Sequence, residues 1–283
     1  MNPRYLKYAL HVTVLLLAVC VPSIIAQNRD LTSDHRFHEK FDSKFAKDRD
    51  LVVWLPPQYD KEPNRRYPTL YMHDGDSTFV NWRLDETAAA LIASQEIEPM
   101  IIVYVPNGGS SDDRATDYTP TRDRNYNVGG KADNYGRMLV EEVKPFIDAR
   151  YRTLTDAANT GLGGASLGGL VTLYLGLKHP DTFGRLAVMS PSIWWDRGVI
   201  LREVKEVKAK PALRIWLDVG TEEERGRTET TKTLRDALIK KGWTLSVDLM
   251  YYEAKGARHE DEEFGKRAGL FLKFLYPQGA PKQ

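Results

Sequence analysis

The chain predicts an α/β fold, a mostly parallel sheet with helices on both faces. Three observations carry that expectation. Short apolar runs rich in β-branched residues alternate with longer segments of helical periodicity, Pro and Gly punctuate the transitions, and neither an internal repeat nor a Pro- or Ser-rich linker divides the sequence. Its 283 residues are 42% hydrophobic and 28% charged, with 40 Lys and Arg against 39 Asp and Glu for a net charge of +1. This balance, without a basic block, argues against nucleic-acid binding, and the apolar content argues against disorder.

Residues 1–26 stand apart. Arg4 and Lys7 precede an apolar run from Ala9 to Val21, and Ile24-Ile25-Ala26 ends in a small residue before the polar Gln27-Asn28-Arg29-Asp30. This pattern reads as an export signal cleaved after Ala26, leaving residues 27–283 as one periplasmic or secreted domain. The apolar run is short for a membrane span, so no stable span is expected in the mature chain. Leu17-Ala18-Val19-Cys20 approximates a lipoprotein box, and lipid anchoring at Cys20 is the lesser alternative. Cleavage removes the only cysteine, which excludes Cys-ligated metals and cysteine catalysis in the mature domain and leaves it to be held by its core.

Beyond the polar stretch to Asp50, Leu51–Leu55 reads as a strand stopped by Pro56-Pro57, and Thr69–Met72 as a second strand ending in the polar turn His73-Asp74-Gly75-Asp76. Leu84–Ile92 has helical spacing, and Met100–Val105 is an apolar run of strand length between Pro99 and Pro106. Asn107–Lys131 has no periodicity and reads as a long loop. A helix over Ala132–Tyr151, a strand over Asn159–Ala165, a helix over Leu167–Lys178 and a strand over Arg185–Met189 follow. Strands at Leu213–Val219 and Thr244–Tyr252 then flank a helix at Glu229–Lys240, and a helix at Glu262–Tyr276 closes the chain. Alternation of this kind implies right-handed βαβ units.

The chemistry centres on Gly164-Ala165-Ser166-Leu167-Gly168, between an apolar strand and an amphipathic helix. Glycines two residues to either side of a serine permit the sharp turn that lifts its hydroxyl above a sheet, the nucleophile-elbow arrangement. The amide of Leu167 then lies at a helix N-terminus, where free N–H groups favour an oxyanion. A phosphate loop would need Gly-Lys-Ser/Thr, which is absent here. Ser166 needs a base, and six histidines are available. His11 falls in the leader, His35 and His38 precede the first clear strand, and His179 sits at a helix end suited to capping. His73 could approach the site but precedes the serine, whereas His259 occupies a loop after the last strand, where the order serine, acid, histidine requires the base. The acid belongs between Ser166 and His259, and Asp218, Glu222, Glu223 and Glu224 are all candidates at this level, Asp218 also suiting a buried structural role.

These residues resemble an esterase family of the α/β-hydrolase superfamily that includes enterochelin, feruloyl and acetyl-xylan esterases, the esterase D group and the mycolyltransferases. The resemblance spans roughly Leu51 to Leu275. It rests on Pro68-Thr69-Leu70-Tyr71-Met72-His73-Asp74-Gly75, Trp82-Arg83-Leu84-Asp85, Met100–Val103, Arg114 with Tyr118-Thr119-Pro120, and the Ser166 elbow. It continues through His179-Pro180-Asp181-Thr182-Phe183-Gly184, Ser190-Pro191-Ser192-Ile193-Trp194-Trp195-Asp196 and Val219-Gly220-Thr221-Glu222-Glu223. The resemblance implies Ser166 as nucleophile, His259 as base, Glu223 as acid, and an oxyanion hole from the amides of Leu167 and Asp76. It implies no metal or cofactor and a small-molecule or carbohydrate-linked ester as substrate, with acyl transfer on the same serine as the alternative. A non-catalytic sugar- or siderophore-binding protein on a hydrolase scaffold is the competing class. Trp82, Trp194 and Trp195 are candidate substrate contacts that could instead pack in the core. Arg114 is expected to pin the long loop by pairing with Asp113 or Asp117.

Overall fold

A computed structural model describes residues 32, 34–123 and 127–279; the expected leader, with Cys20, lies outside them. The eight strands are β1 (His35–Phe41), β2 (Arg49–Trp54), β3 (Thr69–His73), β4 (Ile101–Val105), β5 (Thr160–Ala165), β6 (Arg185–Met189), β7 (Arg214–Gly220) and β8 (Leu249–Ala254). They form one sheet in the order β1-β2-β4-β3-β5-β6-β7-β8. β1 and β2 pair antiparallel with each other, as do β2 and β4, and every remaining pairing is parallel. The order reverses around β3, so β3 and β5 lie side by side and the loops at their C-terminal ends frame a crevice, the usual ligand position in such sheets.

The helices are α1 (Gly75–Val80), α2 (Leu84–Ala93), α3 (Ser111–Tyr118), α4 (Ala132–Arg137), α5 (Lys144–Arg150), α6 (Leu167–Lys178), α7 (Val199–Glu206), α8 (Arg227–Lys240) and α9 (Asp261–Leu275). A π-helical turn, Met138–Val143, joins α4 to α5, so the expected helix over 132–151 is one rod with a bulge in it. Side-chain alternation splits the core in two. Leu51, Val53, Tyr71, Val103 and Leu162 pack under α4 to α8, whereas Val52, Trp54, Leu70, Met72 and Ile102 pack under α1, α2 and α9. Strands covered on both sides read as unbroken apolar runs, which is why their positions were evident from sequence.

The elements not expected from sequence lack that signature. β1 is an edge strand whose residues beyond His35 are half-buried or exposed, with a register shift between His38 and Phe41. α3 lies inside the expected long loop. Only Ala115 and Tyr118 of its residues join the core, and it starts where Ser110 Oγ accepts from the Asp113 N–H at 3.1 Å. β8 begins at Leu249 rather than Thr244, because Thr244–Asp248 closes a turn in which the Thr244 N–H donates to Asp248 Oδ1 at 2.7 Å and Ser246 takes φ 62°. Among the described residues no helix is long and apolar enough to cross a membrane.

β3 ends on His73, wholly buried, with Nδ1 2.8 Å from the Tyr135 hydroxyl on α4. Burial, with Arg114 and Arg49 nearby, lowers its pKa to about 3. Between about pH 6.5 and 3 the unfolded chain binds a proton at this histidine that the folded chain refuses, so stability present above pH 6.5 is lost on acidification, at about 1.4 kcal/mol per pH unit. We therefore expect denaturant unfolding at pH 7 and 4.5 to show a fall in stability about 2–3 kcal/mol larger for the native chain than for His73→Gln; equal falls would contradict a neutral buried imidazole.

Candidate active site

Strand β5 delivers Ser166 at φ 61°, ψ −120°, a conformation a non-glycine residue rarely holds, and α6 starts at the next residue. Three backbone bonds over-determine it: the Ser166 N–H donates to Met189 O at 3.1 Å, and its carbonyl accepts from Leu170 at 3.0 Å and Ser192 at 2.9 Å. The glycines are steric requirements. A Cβ at 164 would lie 3.0 Å from Gly168 C, and one at 169 would lie 2.6 Å from Met189 O. As the first residue of α6, Leu167 has an N–H with no acceptor within the helix.

Of the four candidate carboxylates, one meets His259. Glu223 Oε2 lies 2.8 Å from His259 Nδ1, while Glu223 Oε1 accepts the Gly220 N–H at 2.7 Å and the Ser190 hydroxyl. Burial would raise the Glu223 pKa, but the hydrogen bonds from His259, Ser190 and Gly220 outweigh it and the net shift is downward. Glu222 and Glu224 point to solvent. Asp218 is fully buried and bound to Arg267 at 3.0 Å and to the Trp216 indole at 2.8 Å, the structural role that sequence left open for it. With Nδ1 engaged by a carboxylate, Nε2 is the ring nitrogen left to take a proton. The His259 ring stands edge-on to Phe264 at 5.1 Å.

Ser166, Asp76, Trp82 and Phe264 line one cavity of about 260 Å³, together with Asp74, Asn107, Arg114 and Asp261. Ser166 Oγ rests 3.3 Å from Ser192 Oγ. Gly75 lets α1 press on the end of β4, since a Cβ there would fall 2.5 Å from Val105 N. Asp76 is thereby set in the first turn of α1; burial and the neighbouring Asp74 raise its pKa. Among the described residues no cluster of three His, Cys, Asp or Glu is placed to hold a metal ion.

Several partners differ from expectation. Arg114 pairs with neither Asp113 nor Asp117, which are held by Lys47 and Arg49. It grips Asp74 with two bonds of 2.7 and 2.8 Å, and Asn107 adds a third at 3.0 Å. Trp82 forms a wall of the cavity, its indole N–H donating to Asp261 Oδ1 at 3.1 Å. Trp195 is 3% exposed and donates to Thr121 O at 2.9 Å, so it holds the chain at Thr121 and is not a cavity residue. Trp194, 50% exposed, also lies outside the cavity lining. His179 caps the end of α6, as expected. Sequence reasoning assigned nothing to Ser190, Ser192, Asp261 or Arg267. The quoted Ser190-Pro191-Ser192 run was the only signal that pointed near them.

Residues 43–265 match the family model described as "Putative esterase". An "Uncharacterized protein YbbA" of Bacillus subtilis is 27% identical, covering 82% of this chain and 94% of that one. The iron(III) enterobactin esterase of Escherichia coli is 28% identical, covering 60% of this chain and 41% of its own length. The crystal structure of the enterobactin esterase of Shigella flexneri in the presence of 2,3-di-hydroxy-N-benzoyl-glycine superposes with a TM-score of 0.72 at 18% identity, covering 89% of this chain and 62% of that one. Its likeness to this chain is one of fold: the sheet is that of the α/β-hydrolases.

The steric demand at the elbow separates two superficially similar glycines. Gly169→Ala drives a methyl against backbone and is expected to lose about 1–3 kcal/mol, whereas a Cβ at Gly269 meets only side chains at 3.5 and 3.7 Å. Gly269→Ala should gain up to about 1 kcal/mol from helix propensity. Urea midpoints moving in the same direction for both variants would contradict this account.

Proposed function

Because the chain belongs to the "Putative esterase" family, an ester-hydrolase family whose model it matches over residues 43–265, we propose that it hydrolyses a carboxylic ester through an acyl-enzyme on Ser166. The observation that carries the reading is a strained serine at a strand-to-helix turn in a chain whose β7 and β8 loops bring a histidine and a buried carboxylate, His259 and Glu223, to 2.8 Å. Ser166 Oγ attacks the ester carbonyl carbon while its proton passes to His259 Nε2, and Glu223 steadies the imidazolium through Nδ1. The N–H groups of Leu167 and Asp76 receive the oxyanion. Collapse of the tetrahedral adduct returns the proton to the leaving alkoxide, and water then repeats the sequence to free the acid. Without substrate Ser166 Oγ rests against Ser192 Oγ; catalytic hydrogen bonds commonly tighten only with substrate bound.

The substrate class follows from the cavity. Trp82 and Phe264 offer flat apolar walls and Asn107 and Arg114 offer donors, a combination suited to a hydroxylated aryl-acyl group of the kind carried by siderophore and feruloyl esters. At about 260 Å³ the cavity takes one acyl group and leaves the alcohol portion outside.

The test is hydrolysis of chromogenic aryl and short-chain esters by the native chain beside Ser166→Ala, His259→Ala and Glu223→Gln. Loss of kcat/KM by about 10³-fold or more is expected for the first two and about 10²–10⁴-fold for the third, with unfolding midpoints preserved for Ser166→Ala. An organophosphate should add covalently to Ser166. Turnover undiminished in Ser166→Ala, or neither turnover nor adduct in the native chain, would overturn the reading.

A further inference from the structure

Behind Glu223 the interior holds a second carboxylate and a single cation. Asp218 on β7 and Glu223 have fully buried side chains, and Arg267 on α9 is 4% exposed. The Arg267 Nη2 donates to Asp218 Oδ1 at 3.0 Å and to Ser190 Oγ at 2.9 Å, and lies 3.9 Å from Glu223 Oε1. Ser190, held at φ 39°, relays the contact: its hydroxyl donates to Glu223 Oε1 and its N–H to Asp218 Oδ1 at 3.2 Å. The guanidinium is thus bonded to both sides of a network whose other end is the 2.8 Å Glu223–His259 contact. Two buried carboxylates against one guanidinium leave one negative charge uncompensated beside the imidazole. Protonation of His259 brings the group to zero.

We propose that Asp218 is a positioning residue for the reaction: it offsets the charge of Arg267, so that Glu223 keeps the net negative charge against which His259 takes up its proton. This rests on the reading of Ser166 and His259 given above. The pair acts from the dry interior, where a unit charge is felt far more strongly than at the surface. The other groups around His259 are differently placed. Arg258 and Glu260, in its own loop, pair with each other at 3.2 Å in solvent. From α9, Phe264 presents a ring edge and Asp261 accepts from Ser77 and Asn81 as well as Trp82. Across the cavity Arg114 is neutralised by Asp74, with Asp76 beside it. Burial raises the Asp218 pKa despite Arg267, whereas Glu223 is held low by His259, Ser190 and Gly220. The two carboxylates are therefore not equivalent, and Asp218 is the one whose charge the network tolerates least well.

The experiment follows the His259 ring by NMR as pH is varied, in the full chain without substrate, with the signal assigned by its loss in His259→Gln. Asp218→Asn removes one negative charge and is expected to lower the titration midpoint by about one pH unit. Asp218→Asn combined with Arg267→Gln restores the net charge of −1 while removing both ionic partners, and should bring the midpoint back to within about 0.3 unit of the native value. A purely structural pair would shift both variants alike or neither, and either result overturns the proposal. Should the new amide disrupt folding, Asp218→Ser carries the same change of charge with less bulk. With a turned-over ester, the acid limb of kcat/KM should move with the ring midpoint. Because the titration is read without substrate, it stands or falls separately from ester hydrolysis: turnover retained by Ser166→Ala would sink that reading and leave the ring measurement intact.

Discussion

The site depends on how closely the first turn of α6 approaches the ends of β5 and β6. Gly169 brings backbone within a distance that no side chain could share, Gly164 packs almost as tightly on Gly168, and that approach holds Ser166 at φ 61° between strand and helix. The strain is sustained because Met189, Leu170 and Ser192 bond both polar atoms of its backbone. What results is a hydroxyl raised above the sheet with an unsatisfied amide directly after it. The same close packing recurs on the other side of the cavity, where Gly75 lets α1 abut β4.

Around that turn, buried or half-buried charge does the positioning. Arg114 and Asn107 hold Asp74 in its left-handed conformation at the start of α1. Asp261 collects Ser77, Asn81 and Trp82 and so joins the start of α9, just after the loop carrying His259, to α1 and the turn that follows it. Arg267 and Ser190 brace Glu223. Each link joins segments far apart in sequence, and each satisfies a polar group that would be costly to bury alone. Cavity and relay are therefore built from one hydrogen-bonded frame in which a change at Asp218 can be felt at His259.

The parts legible in sequence are those whose signal is local. β2, β4 and β6 are β-branched runs buried on both faces, and Leu167–Lys178 has helical spacing after a glycine turn, so all four were placed to within a residue or two. α3 was missed because its charged residues form no apolar stripe: Arg114 and Asp117 find partners at Asp74 and Arg49, on other segments. β8 was drawn too early because a turn closed by Asp248 holds residues whose composition resembles a strand. Trp195 resembled a substrate contact by its position after β6, yet its indole is spent on Thr121 O.

The sequence by itself determined the order of β2 to β8 and of α2, α4 to α6, α8 and α9, the glycine-flanked turn at Ser166, and the shortlist of one candidate base and four candidate acids, because these follow from residue type, spacing and chain order. Tertiary structure alone decided which acid meets His259. Asp218, Glu222, Glu223 and Glu224 differ by at most six positions, and only the turn after β7, closed by the Gly220 N–H on Glu223, aims one carboxylate at the imidazole while Arg267 claims another. Partner choice among like charges is a matter of direction and burial, and neither is written in local sequence.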